Sequence, residues 1–226
     1  MTVPTAMKFF FPHFVLYITL LVSIAQPLST VQAQIIREQP SETTGVGVDE
    51  RLGKKLPLRT EFRNSRGEQV ALSEMFSGNL PVILTFNYTD CPMLCKLQLS
   101  GLVDALKEMD WTAGEKFRIV SISIDPSETV QQSAISKQNH LQAYARPVEA
   151  DAFNFLTGSS DAFSTVSNET GFQYQYLPSQ KEFSHAAAVV ICTPEGVISR
   201  YLYGVQFDVK TLRLSLEEAS EGSIGT

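Results

Sequence analysis

The chain is poor in the residues that carry metal and thiol chemistry, with only three cysteines and three histidines among 226 residues. Three thiols cannot all pair, so at least one of them stays free or reactive. There is no basic stretch to neutralise phosphates, and the formal net charge of −6 argues against a general affinity for nucleic acid. No internal repeat is visible, and nothing in the composition suggests disorder. What is present is enough apolar material for a full core: 43% of the residues are hydrophobic, in a length that suits one domain with a leader or tail.

Residues 1–33 differ from the rest. A single cation, Lys8, precedes an apolar run from Phe9 to about Ala25, and Val31-Gln32-Ala33 before Gln34 has the small residues of a signal peptidase site. The segment reads as a cleaved secretory signal. An uncleaved anchor is the competing reading, but Pro12 and His13 interrupt the run and leave it shorter than the ~20 apolar residues that span a bilayer. No cysteine follows it, which excludes a lipoprotein leader. Export places the chain in an oxidising compartment, where paired cysteines tend to become disulfides. Residues 34–55 are polar and without period, and read as a flexible lead that spaces the domain from a membrane or partner.

The following domain, residues 56–220, alternates strands and helices. Leu58 to Leu72 holds two short alternating segments about Asn64-Ser65-Arg66-Gly67, an N-terminal β-hairpin. Ser73 to Gly78 can form one or two helical turns. Buried strands are expected at Val82 to Phe86, Phe117 to Ile124 and Ala152 to Leu156. Helices are expected from Cys95 to about Asp110, from Glu128 to Tyr144 with Ser127 as N-cap, and from Ser160 to Thr170 closed by Gly171. Phe172 to Leu177 is short and aromatic. Strand Ala186 to Thr193 turns at Pro194-Glu195-Gly196 into Val197 to Tyr203, Asp208 to Ala219 forms a last helix, and residues 221–226 are a tail. This order predicts an α/β fold: a mixed sheet with helices on both faces and ligands gathered beyond the carboxyl ends of the central strands.

At that edge lies Cys91-Pro92-Met93-Leu94-Cys95, where a strand hands over to a helix. Residues i and i+4 of a helical path share one face, so Cys91 and Cys95 can close on a metal ion or on each other. Cys192, inside an apolar run, reads as a packed free thiol. Among the histidines, His13 is in the leader, and His140 reads as a solvated side chain on a polar helix. His185 stands immediately before a late strand, where it can lie beside the cysteine turn. Asp90 reads as a helix cap, with a carboxylate near the site as the alternative, Met93 as a packing residue, with a thioether donor to a metal as the alternative, Arg146 as surface charge, and Asp125 as a polar strand stop rather than part of the rim of the cysteine turn.

Three parts of the chain, taken in order, resemble the Sco/SenC family. They are the strand ending in a CPxxC turn (Cys91, Pro92, Cys95), the Ser-Ile-Asp-Pro end of the next strand (Ser123 to Pro126), and the lone His185 before a late strand followed by a Pro-x-Gly turn. The resemblance implies a thioredoxin-like fold and a copper protein that assists assembly of the CuA site of cytochrome c oxidase. It also implies copper ligation by Cys91, Cys95 and His185, and a partner that is the oxidase subunit carrying CuA or another copper protein. Two thiolates and one imidazole form a soft set that suits Cu(I) and, with distortion, Cu(II), whereas a structural zinc site normally has a fourth protein ligand. Met93 and Lys96 stand where the family commonly has Asp and Pro, and Thr193 where it commonly has Asp. With the leader, the implied location is periplasmic or membrane-associated facing the periplasm. Two alternatives stay open: a thiol-disulfide oxidoreductase using Cys91 and Cys95 without metal, and a noncatalytic binding module in which they form a structural disulfide. The CxxxC spacing and the Ser184-His185 pair, where redox relatives carry a proline, favour the ligand site.

Overall fold

The computed structural model describes residues 45–225, so the leader and most of the lead lie outside the described residues. The elements run β1 (Gly47–Val48), β2 (Glu61–Asn64), β3 (Gln69–Ala71), a 3-10 turn (Leu72–Phe76), β4 (Val82–Asn87), α1 (Leu94–Glu108) and β5 (Arg118–Ser123). They continue through α2 (Val130–Tyr144), β6 (Phe153–Thr157), α3 (Ser160–Thr170), β7 (Phe172–Leu177), β8 (Glu182–His185), β9 (Ala188–Cys192), β10 (Ile198–Tyr203) and α4 (Val209–Ser220).

Seven strands form one mixed sheet in the order β10-β9-β4-β5-β6-β2-β3. β4, β5 and β6 pair in parallel, while every pairing outward from them, β4–β9 and β9–β10 on one side and β6–β2 and β2–β3 on the other, is antiparallel. The central strands are buried along their whole length, which is why they read as continuous apolar runs rather than alternating ones. Their side chains still divide by the pleat. Val82, Leu84 and Phe86 of β4 face one core with Phe163 and Val166 of α3. Ile83 faces the other, where Leu102 and Leu106 of α1, Tyr144 of α2 and Leu212 and Leu216 of α4 pack. Each such fully buried side chain is worth roughly 1.5–3 kcal/mol of transfer free energy, so both layers hold the sheet in place. Gly101 lets the chain after β10 cross close over α1, because a Cβ there would overlap the Val205 carbonyl oxygen.

Three differences from the sequence reading have physical causes. Of the expected flexible lead, its last part is fastened to the domain. β1 pairs with β7, Asp49 N–H donates to Gly171 O at 2.8 Å, and Lys55 bridges to Val197. A two-residue strand carries no period from which it could be read. β7 and β8 form a hairpin that makes a second, three-stranded sheet, β1-β7-β8, where only a polar connection was expected before His185. Helix α2 begins two residues later than expected. Thr129 caps it, in a reciprocal pair with Gln132, and Ser127 instead closes a turn on Asp125. Among the described residues no helix is long and apolar enough to cross a membrane.

Candidate metal centre

β4 ends at Asn87 on the carboxyl edge of the sheet, and the next residues must turn before α1 begins. Cys91 lies in that turn, Cys95 in the first turn of α1, and His185 is the last residue of β8. The sequence reading put His185 at the opening of the late strand; it closes the strand before it, and the chain then enters β9 three residues on. The three ligand atoms nevertheless lie within 4.8 Å of one another. Cys91, Cys95 and His185 are 4%, 2% and 6% exposed, so a guest held by them is shielded from water.

The donors face inward in usable form. His185 Nδ1 lies 3.0 Å from the Ala186 carbonyl oxygen, which can only accept, so Nδ1 carries a proton and Nε2 is the nitrogen turned toward the cysteines. Nε2 is 3.1 Å from Cys95 Sγ. Cys91 Sγ accepts the Cys95 backbone N–H at 3.3 Å, at the amino end of α1. That sulfur does the work of a capping side chain, and the formal N-cap residue, Met93, makes no side-chain cap bond. Asp90 does not cap the helix as expected; its carboxylate accepts from Gln132 Nε2 at 3.1 Å.

The two thiols are driven apart in acidity. Hydrogen bonding from the Cys95 thiol, then from the backbone N–H groups of Cys95 and Met93, holds Cys91 well below the usual thiol range against the opposing effect of burial. Cys95 is pushed well above it, first by its bond to the Cys91 sulfur and then by burial. The pair therefore keeps one proton, shared between a thiolate at Cys91 and a thiol at Cys95. Cys192 is fully buried and raised by burial, in keeping with a packed thiol that takes no part.

Three side chains that sequence reasoning did not single out hold this arrangement. Tyr88 Oη accepts the Phe183 backbone N–H at 3.1 Å, and its ring lies edge-on to Phe183, which ties the hairpin bearing His185 to the cysteine turn. The Glu128 carboxylate accepts from Thr89 N at 2.9 Å, Thr89 Oγ1 at 2.7 Å and Ser123 Oγ at 2.7 Å. It thereby fixes the start of the same turn from the adjoining strand end. Gln98, wholly buried on α1, donates from Nε2 to Ala188 O at 2.8 Å and links the helix of Cys95 to the first residue of β9. A polar residue at an apolar position of α1 was the available signal for Gln98; Glu128 offered none, since it reads as the first turn of α2.

Other side chains depart from their expected roles. Met93 does not pack: it is 67% exposed, and Leu97, one turn on, is 49% exposed. His140 is not free in solvent, as its ring stacks on Phe155 with centroids 5.6 Å apart. Arg146 is more than surface charge, for its guanidinium donates to the carbonyls of Lys107, Met109 and Trp111 and closes the carboxyl end of α1.

Chemically, two sulfurs and one imidazole nitrogen fit a soft, low-coordinate metal ion. Among the described residues the group has these three members, one short of a closed structural zinc site. The model of the SCO1/SenC family matches residues 51–219. The mitochondrial protein SCO1 homolog 1 of Arabidopsis thaliana is 27% identical over 136 residues, 58% of this chain and 37% of that protein, so the match spans well under half of the relative's length. Among solved structures, a putative electron transfer protein from Aquifex aeolicus superposes with a TM-score of 0.67 at 21% identity, covering 76% of this chain and 96% of that one. Arabidopsis thaliana ScoI with copper bound superposes at 0.57 and 23% identity, covering 76% and 99%. These likenesses identify the fold as thioredoxin-like, and the family match, running from just after β1 to the end of α4, makes the chain a member of the SCO1/SenC family.

Proposed function

We propose that the protein is an exported copper-binding assembly factor that holds one copper ion between Cys91, Cys95 and His185 and serves the CuA centre of cytochrome c oxidase. One observation carries this reading: two sulfurs and an imidazole Nε2, all buried, converge within 4.8 Å. Cys91 enters as a thiolate, and loading costs only the one proton that Cys95 releases when the metal displaces it. Nδ1 stays bound to the Ala186 carbonyl and keeps the ring oriented. Bound copper supplies the cargo; the chain supplies two thiol donors, a fixed imidazole and a site closed to water. Family membership supports the oxidase as the destination, and the leader Met1 to Ala33 supports a periplasmic or periplasm-facing location.

The same thiol pair favours a second reading. A thiolate beside a protonated partner is the arrangement a thiol-disulfide reductant needs, with Cys91 attacking and Cys95 resolving. A cell lacking the protein separates the two. Cytochrome c oxidase activity is expected to fall and to be restored by the wild-type chain but not by Cys91→Ser, Cys95→Ser or His185→Ala. Full restoration by His185→Ala would favour reduction without metal, because thiol exchange does not need the imidazole.

A further inference from the structure

Each of the three ligand residues lies beneath the surface, at most 6% exposed, so an arriving ion must first meet a donor outside them. Met93 stands two residues from each ligand cysteine, and its side chain is 67% exposed, whereas Met75 and Met109 are buried at 7% and 1%. The thioether belongs to neither core cluster and makes no cap bond, so no packing or capping role accounts for it. An unbranched, polarizable side chain at this position can swing between solvent and the cysteine turn. Leu97, one turn on along α1, is also exposed, at 49%.

We propose that the Met93 thioether is the landing ligand through which Cu(I) enters and leaves the Cys91/Cys95/His185 site. This rests on the copper reading above and specifies its oxidation state and route. A neutral thioether is a soft donor that favours Cu(I) over harder ions and binds without releasing a proton. On entry, bonds form from copper to Met93 Sδ and to the Cys91 thiolate while the carrier's ligands leave with the electron pairs they had donated. Cys95 then gives its thiol proton to water as its sulfur bonds the metal, His185 Nε2 completes the set, and the bond to Met93 Sδ breaks. Copper stays Cu(I) throughout, so no oxidant or reductant is consumed.

The test is anaerobic stopped-flow transfer of Cu(I) between the reduced protein and a coloured bidentate Cu(I) chelator, in both directions, for wild type, Met93→Leu and Met93→Gln. Both variants change an exposed side chain, so the fold is kept. Loading and release are each expected to slow about tenfold in both variants, the lower end of what partners of metal ligands contribute, with equilibrium affinity held within about threefold. Wild-type exchange rates in the variants overturn the proposal. So does a loss of affinity as large as the loss of rate, since that makes Met93 a resident ligand. A wild-type protein that takes up no Cu(I) sinks the copper reading itself, whereas normal uptake with unaltered variants sinks only the role of Met93.

Discussion

The His185→Ala protein is expected to bind Cu(I) at least about a hundredfold more weakly than wild type, because even the outer partners of metal ligands are worth about 10–100-fold and His185 supplies a donor directly. Its Nε2 stands 3.1 Å from Cys95 Sγ and its Nδ1 proton is committed to the Ala186 carbonyl, so no other atom of the residue can take over. The loss should be specific. His185 ends β8, whose pairing with β7 runs through backbone groups, and the Tyr88 to Phe183 bond ties the hairpin to the cysteine turn independently of the imidazole. Far-ultraviolet circular dichroism should therefore be unchanged while affinity, measured by anaerobic competition with a chromophoric chelator, collapses. Equal affinity in the two proteins would mean that the cysteines bind copper without the imidazole.

The second large effect concerns the thiols in the reduced, metal-free protein. Cys91 is expected to be alkylated at a rate that changes little between about pH 5 and about pH 8, where an ordinary thiol with a pKa near 8.5 slows about tenfold per pH unit. Cys95 should react slowly across that range and accelerate in Cys91→Ser, where the sulfur that holds its proton is gone. Mass spectrometry of the labelled peptides reads both. The same asymmetry shapes stability. Cys91 is depressed on folding, so its contribution is full above the unfolded thiol value and is lost as pH falls toward its folded value. Cys95 is raised on folding, so its contribution is full below the unfolded value and is lost as pH rises toward its folded value. Below about pH 8.5 the unfolded thiols hold two protons against one in the folded pair, and above it they hold none. The stability difference between wild type and the Cys91→Ser/Cys95→Ser double variant, from urea midpoints, should therefore be largest near that pH. A difference that is flat with pH would contradict a shared proton.

Much of the fold was legible because the central strands are buried on both faces. Runs such as Val82 to Phe86 and Ala188 to Cys192 have no polar residue strong enough to suggest another state, and Gly171, at φ 64°, ends α3 where a glycine was expected. The small sheet was not legible. β7 alternates aromatics with glutamines, but the chain offers no readable partner for it, since β1 has two residues and β8 opens in a polar stretch. Of the site, Cys91, Cys95 and His185 could be picked out, since free thiols and a lone histidine are scarce in this chain. The parts that aim them could not. Glu128 acts across 39 residues and Gln98 across 90, and local spacing carries no trace of such contacts. The capping of α1 was misread for a related reason: Asp90 is the usual type of capping residue, but the Cys91 sulfur occupies that place.

That sulfur, its partner and the imidazole are the centre of the account, and one measurement addresses them together. Copper X-ray absorption on the reduced protein loaded anaerobically with Cu(I) reports both how much metal is held and by which atoms. The structure predicts one copper per chain in a shell of two sulfurs and one nitrogen, retained in Met93→Leu and without its nitrogen in His185→Ala. A shell of two sulfurs alone in the wild type, or copper below half an equivalent per chain, would contradict it.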